Sequence, residues 1–356
     1  MAHQHRDASV LEQTRLTLDG AHKRIVAVGA VLAVIGLGAA WVLGQGEGDD
    51  MRHFWFAYLL TYMFLLSLSL GALWFVPLQH LTRSEWSVVV RRIAEIVSGT
   101  IPVMGLLAIP LLLNLDQVYP WTDTAHMEHH PLLAHKVTFL SPKWFTVRVA
   151  AYFVIWSVLA GLFRLWSRKQ DEDGDVKWTF KSEKLSGAAL IIYGLSQTFA
   201  GMDFMMSLDP AWFSTMFGVY WFSGIVVSFF SLMLLLTWGL QRSGRLEGIV
   251  TLEHYNDYGR AMFAFVFFWA YIAFSQWMLI WYANIPEETM WFLKRQENGW
   301  ALWGYALIVC HWLIPFAGLM SRFTKRRVPL IAFSAVWVLV MRWVDLYRLI
   351  MPELAA

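Results

Sequence analysis

Nine apolar stretches of about twenty residues recur along this 356-residue chain, at roughly 24–45, 54–78, 93–115, 145–166, 185–207, 212–240, 260–283, 300–321 and 328–349. Each is long enough for one helical crossing of the hydrocarbon core of a bilayer. Backbone groups in lipid must be satisfied internally, so a spanning element is a helix or part of a closed barrel. Unbroken apolar runs, in place of short alternating strands, exclude the barrel. The sequence therefore predicts an all-α polytopic membrane protein.

Composition supports this where solubility is concerned. Hydrophobic residues make up 58% and charged residues 15%, against roughly half and a quarter in soluble domains. The 21 Trp and 25 Phe fit a chain whose aromatics crowd at membrane interfaces. A net charge of +2 without a basic stripe gives no pointer to nucleic acid. The lone Cys310 excludes an internal disulfide and any Cys-rich cluster. Residues 1–23 are polar and the first apolar run is long enough to span, so 24–45 is expected to be an uncleaved helix, not a signal peptide.

Lys and Arg are distributed unequally between alternate connections. One side holds twenty, among them Lys23, Arg24, Arg91, Arg92, Arg168, Lys177, Arg245, Arg326 and Arg327; the other holds five, Arg52, Lys136, Lys143, Lys294 and Arg295. Positive loops stay inside, which predicts a cytoplasmic N-terminus and a C-terminus on the outer side. The long connections are an outer one, 116–143, and an inner one, 167–184, whose run of Asp171, Glu172, Asp173 and Asp175 reads as a flexible link. The organisation expected is a cytoplasmic segment 1–23, a peripheral helix 24–45, four-helix bundles at 54–207 and 212–349, and an outer tail 350–356.

Ionisable side chains at membrane depth are costly, so each marks a candidate site. Arg91, Arg92 and Glu95 share one face of the third span at the inner boundary, either as an ion pair or with Glu95 at the mouth of a proton path. Arg148 and Asp203 fall near the outer ends of consecutive spans and suggest a pair, with Tyr193 and Gln197 deeper on the fifth. Asp209 followed by Pro210 reads as an N-cap at the start of the sixth. Glu253, His254 and Asp257 sit at the inner end of the seventh. His311 is the only deep histidine, a hydrogen-bonded core residue or a proton carrier. Arg342, Asp345 and Arg348 repeat at intervals of three in the outer half of the ninth and cannot face lipid. His126, Glu128, His129, His130 and His135 cluster in the outer loop without the regular spacing of a zinc site, so partner contact or proton exchange is the simpler reading.

Several segments also carry a resemblance: "HHPLLAHK" (129–136), "GMDFMMSLDPAWFSTMFGVYWFSG" (201–224), "EHYNDYGRAMFAFVFFWAYIAFSQWMLIWYANIPEE" (253–288), "CHWLIPF" (310–316) and "RWVDLYRLIMP" (342–352). They resemble the ActF-type family, polysulfide-reductase-like (NrfD-like) membrane subunits of alternative complex III. The resemblance implies two four-helix bundles in a bacterial inner membrane. It implies as partners an ActC-type NrfD-like subunit, a multihaem cytochrome c, an iron–sulfur subunit and lipids, with a terminal oxidase as an electron acceptor. That complex oxidises a quinol; haem c and iron–sulfur clusters belong to the partners, and this chain is expected to bind no metal and no redox cofactor, a quinol being the one ligand left open. The family's polar positions fall on His135, Lys136, Arg148, Asp203, His254, Asp257, His311, Arg342 and Asp345. Two departures stand out: no counterpart of the family's tenth helix follows residue 349, and Ser141-Pro142 occupies a place where an Asn is expected.

The functional expectation is a cofactor-free subunit of a quinol:electron acceptor oxidoreductase. Its candidate proton path is Glu95, Tyr193, Asp203, His254, Asp257, His311, Arg342 and Asp345, with an outer polar group of His130, His135, Lys136 and Arg148. A structural assembly subunit and a stand-alone secondary transporter are the competing classes; against the latter, no paired broken helices stand in corresponding halves.

Overall fold

The computed structural model describes residues 20–43, 51–123, 125, 127 and 133–354, with side chains of the first segment described in part. Among them the secondary structure is helical throughout. The long helices are α1 (Gly20–Leu43), α2 (Arg52–Leu81), α3 (Arg91–Leu113), α4 (Pro142–Asp173), α5 (Lys177–Phe204), α6 (Phe217–Arg242) and α7 (Leu252–Ala283). After them come the short α8 (Pro286–Lys294), then α9 (Trp300–Met320) and α10 (Val328–Ile350). Eight helices, α2 to α7 with α9 and α10, are long and apolar enough to cross a membrane. The ninth expected crossing corresponds to α1, whose described side chains are exposed and which lies against α2.

The two centres of the fold are α2 and α6, each with 72% of its apolar window buried, against 22% for α9 and 28% for α7. They lie against each other, α2 also carrying α3, α4 and α5 while α6 carries α7 and α10. Close approach at this seam needs small residues. A Cβ added at Gly71 would lie 2.3 Å from the Phe229 Cβ, and where α5 packs on α6 beside the seam, one at Gly201 would lie 2.8 Å from the Trp221 ring. Small residues are the usual means of helix contact in lipid, where burial of apolar surface gives no drive of its own.

Ion pairs and ring contacts tie the basic connections together at one end of the helices. Arg83 reaches Glu183 at 3.0 Å, Arg92 pairs with Asp171, Arg326 reaches Glu253 at 2.7 Å, and Trp86 packs edge-on to Tyr258. At the opposite end, Trp212 stacks on Trp291 with centroids 4.4 Å apart, and Lys136 donates to the Pro210 carbonyl at 2.8 Å.

Three local expectations need correction. The connection 167–184 is not a flexible link: α4 continues to Asp173 and α5 begins at Lys177, leaving only a turn between them. Gly174, at φ 68°, adopts the left-handed conformation that ends α4, and the Asp173 and Asp175 side chains accept from the backbone N–H groups of Asp175 and Lys177. The sixth span starts at Phe217, not 212; Asp209 accepts from the N–H of Ala211 and of Trp212 and so caps a turn before the helix. The segment after Ile350 is not a free tail, because Met351–Glu353 forms a 3-10 turn with Glu353 buried. The prolines of the third span predict a break in its hydrogen bonding, and α3 is broken at Gly99–Thr100, two residues before Pro102.

Candidate functional site

The deepest polar cluster is assembled around α10. Arg342 and Asp345 stand three residues apart on one face, 0% and 1% exposed, and form an ion pair. The carboxylate is enclosed by donors from two further helices. Tyr220 on α6 donates its hydroxyl to Oδ1, and Trp269 on α7 donates Nε1 to Oδ2 at 3.2 Å. The guanidinium lies over Gly224 so closely that an added Cβ would meet its central carbon at 2.3 Å. Glycine at 224 is what lets Arg342 fold inward at this depth.

His311 enters the cluster from α9. Its ring meets that of Trp269 edge to face, centroids 4.3 Å apart, and is 0% exposed. Neither of its nitrogens has a hydrogen-bond partner among the described residues, nor do Nε and Nη2 of Arg342. The backbone around His311, Leu307–Leu313, is a π-helix. Pro315 supplies the cause: it has no N–H for the carbonyl four residues back, which is that of His311, and its ring crowds that carbonyl. Widening the turn relieves the clash, and the Ile314 N–H reaches Val309, five residues back. The Cys310 carbonyl, displaced from the ordinary register, accepts instead from Trp337 Nε1 at 2.7 Å.

The first half of the chain holds a second acidic centre, again built from an arginine and a tyrosine hydroxyl. Asp203 on α5, 1% exposed, accepts from Arg148 Nε at 2.9 Å and Nη2 at 2.8 Å, and from the Tyr152 hydroxyl at 2.7 Å. Arg148 also donates Nη1 to the Phe139 carbonyl at 2.8 Å and lies over the Phe139 ring. Two parallel bonds plus a phenol saturate the carboxylate with charge-assisted donors. Tyr193 and Gln197, expected to extend a polar track from here, do not join it: Gln197 donates to the Gly218 carbonyl at 3.0 Å, and the Tyr193 hydroxyl is buried without a partner.

The remaining predicted residues lie apart from both centres. Glu95, buried on α3, has Arg92 at 3.2 Å and Arg91 at 3.9 Å. His254 closes the N-terminal cap of α7 through Thr251, and Asp257 pairs with Arg260 at 3.0 Å. Lys136 lies beside the Phe213 ring, and its burial pulls the ammonium below its ordinary pKa, against the nearby Asp209. His135 is exposed. His126, Glu128, His129 and His130 lie outside the described residues, and among those described no group of three or more His, Cys, Asp or Glu could hold a metal ion.

Residue patterns missed several participants. Tyr152, one turn after Arg148, was within reach of a spacing argument. Tyr220, Trp269 and Gly224 were not, since nothing local marks them. At the end opposite the basic loops, Arg295 is 1% exposed, packed over the Trp291 ring at 3.5 Å, and paired with Glu353 at 2.9 Å. Burial pushes that guanidinium down to about 10, with Glu353 opposing the shift. Lys294 also reaches Glu353, at 2.5 Å.

Fold and site together define a polytopic helical membrane protein with two buried acidic centres, one of which has an unpartnered histidine beside it. No protein-family model matches the chain, and no curated protein is similar to it.

Proposed function

We propose that the chain handles protons within a membrane complex, through the cluster of His311, Trp269, Asp345, Tyr220 and Arg342. One observation carries this reading: a fully buried imidazole with both nitrogens unpartnered beside a buried carboxylate. Buried polar groups are almost always satisfied, and an orphan invites an internal water or a mobile proton. A water beside His311 would join its ring to the unpartnered Arg342 nitrogens and to the carboxylate. The π-helical turn gives the histidine's backbone the irregularity that often marks working positions. Glu95, buried near the basic end, is the complementary entrance on that side. Asp203 with Arg148 serves as a structural pin, since no unpartnered imidazole stands beside it as His311 stands beside Asp345.

The setting we propose is the one the sequence resemblance implies. The chain is a cofactor-free, ActF-type NrfD-like subunit of alternative complex III, a quinol:electron acceptor oxidoreductase of the bacterial inner membrane. It crosses the membrane nine times, N-terminus in the cytoplasm and C-terminus in the periplasm. Helices α2 to α5 form one bundle, and α6, α7, α9 and α10 the other. Its neighbours are an ActC-type subunit and the multihaem cytochrome c and iron–sulfur subunits, which hold the redox groups. The lopsided distribution of Lys and Arg supports the orientation, and the quoted motifs support the family. Tagged chain extracted from native membranes in mild detergent is expected to bring down haem-containing and iron–sulfur subunits in equal amounts. Recovery of the chain alone overturns the assignment.

A further inference from the structure

The turn that joins α9 to α10 carries more positive charge than its surroundings neutralise. Arg322–Lys325 is a single helical turn, capped by Ser321 through the Phe323 N–H at 3.1 Å. Arg326, just after it, reaches Glu253 on α7 at 2.7 Å. Asp257, the next acid along α7, is held by Arg260 at 3.0 Å. Glu247 lines a recess beside Val328 and Arg242 and pairs with no residue of the turn. Among the described residues, Arg322 and Lys325 therefore have no acidic partner.

Lys325 differs from the cations of a solvated loop. It is 9% exposed, and its stem is clamped on α7: a Cβ added at Gly259 would lie 2.7 Å from its Cγ and 3.1 Å from its Cδ. Its Nζ lies over the Phe263 ring, 5.6 Å from the centroid. The ammonium is nevertheless reachable, since Nζ is not among the partnerless nitrogens closed off from the surface. Burial, then Arg260 and Arg322, draw it below its ordinary pKa of 10.5. A positive group held this way is stabilised by an anion, and no carboxylate of the described chain supplies one.

The neighbouring surface decides which anion fits. From Lys325 toward the membrane interior, Phe263 stacks on Phe316 at 5.0 Å, and Phe267, one turn farther along α7, lies 6.1 Å from Phe316. Phe267 and Met320 are exposed. A soluble phosphate would use the cations and leave this apolar strip bare. A phospholipid uses both, because its phosphate lies at the boundary of the hydrocarbon core and its chains run inward. We infer that Lys325 and Arg322 seat the phosphate of one anionic phospholipid, in the leaflet at the basic end of the helices. One acyl chain lies along Phe263, Phe316 and Phe267, across the contact of α7 with α9. The inference rests on the membrane-embedded fold and uses neither His311 nor Asp345.

The test uses the full chain in its native detergent-extracted assembly and two lipids with a light-activated group mid-chain, a phosphatidylglycerol and a phosphatidylcholine. The first is expected to label peptides containing residues 263–267 and 316–320 in preference to the second. Unlabelled phosphatidylglycerol should displace it, and inorganic phosphate should not. Lys325→Gln and Arg322→Gln should each weaken the displacing lipid about fivefold. Arg322 is exposed, so its variant decides the matter even if Lys325→Gln fails to fold. Lys169→Gln/Lys181→Gln removes two charges from around the Trp178 ring, on the same side of the protein, and should change nothing. Equal labelling by both lipids, or an equal loss in that control, would show diffuse attraction and overturn the inference. Displacement by inorganic phosphate would show a soluble-anion site, and preference confined to other peptides would place the lipid elsewhere; either overturns it too.

Discussion

The indole of Trp269 meets the imidazole of His311 edge to face at 4.3 Å while its Nε1 donates to Asp345 at 3.2 Å. One side chain thus spans the distance between an orphaned base and a buried acid. It fixes their separation without bonding either nitrogen of the histidine. Trp269→Phe keeps the ring contact and deletes the donor. Asp345 then loses one of the bonds that hold it in place, and proton movement per folded molecule should fall several-fold. An unchanged rate would show that Trp269 does not address the carboxylate during function.

Asp203 and Arg148 form a pin whose loss leaves a buried charge alone. Removing one partner of such a pair typically costs about 3–5 kcal/mol, whereas replacing both with apolar residues is often neutral. Thermal unfolding in detergent should show a large drop for Asp203→Leu and recovery in Arg148→Met/Asp203→Leu. Proton movement per folded molecule should be the same in the double variant as in the parent. A double variant that is stable yet inactive would return Asp203 to the proton path.

Gly224 is the position where helix packing and electrostatics meet. A methyl group there would fall 2.3 Å from the Arg342 guanidinium carbon, so Gly224→Ala must displace the arginine or part α6 from α10. Overpacking of this kind costs about 1–3 kcal/mol. Gly161→Ala is the control, with nothing within 4 Å of the added carbon. The first variant should unfold at lower temperature than the second. Equal melting points would contradict the close approach.

Asp209 gives a pH signature outside the spans. Its burial, with Glu353 nearby, raises the carboxyl above its ordinary 3.8, against Lys294 and the two N–H groups it caps. A raised acid pKa in the folded state means that the fold binds more protons there than the unfolded chain. The stabilisation is complete below 3.8 and is lost as pH climbs through the folded value. Asp209→Asn keeps an acceptor for the turn and removes the titration. Its melting temperature should fall less than the parent's over that climb. Parallel curves would contradict the assignment.

The spans were legible because hydrocarbon thickness dictates run length whatever the packing. The Arg148–Asp203 pair was legible too, as opposite charges at matching depth on consecutive helices, and Arg342–Asp345 from a spacing of three. What the sequence hid were partners chosen by tertiary contact. Tyr220 and Asp345 are 125 positions apart, and in a chain this rich in aromatics nothing local distinguishes a donor from a packing ring. The π-helical turn at His311 was readable in principle from Pro315, since the carbonyl it displaces is fixed by counting four back. Glu353 was misread as tail because its partners, Lys294 and Arg295, lie on a different connection.

The central claim is that the cluster around Asp345 moves protons while the Asp203 pin does not. Its most direct measurement is the ratio of protons moved to electrons transferred by the purified complex in sealed vesicles, followed with a pH-sensitive dye. Because Asp345→Asn strands Arg342, the informative variant is Arg342→Met/Asp345→Leu, compared with Arg148→Met/Asp203→Leu at matched folded protein. The ratio should fall several-fold in the first and hold in the second; an unchanged ratio in both contradicts the account.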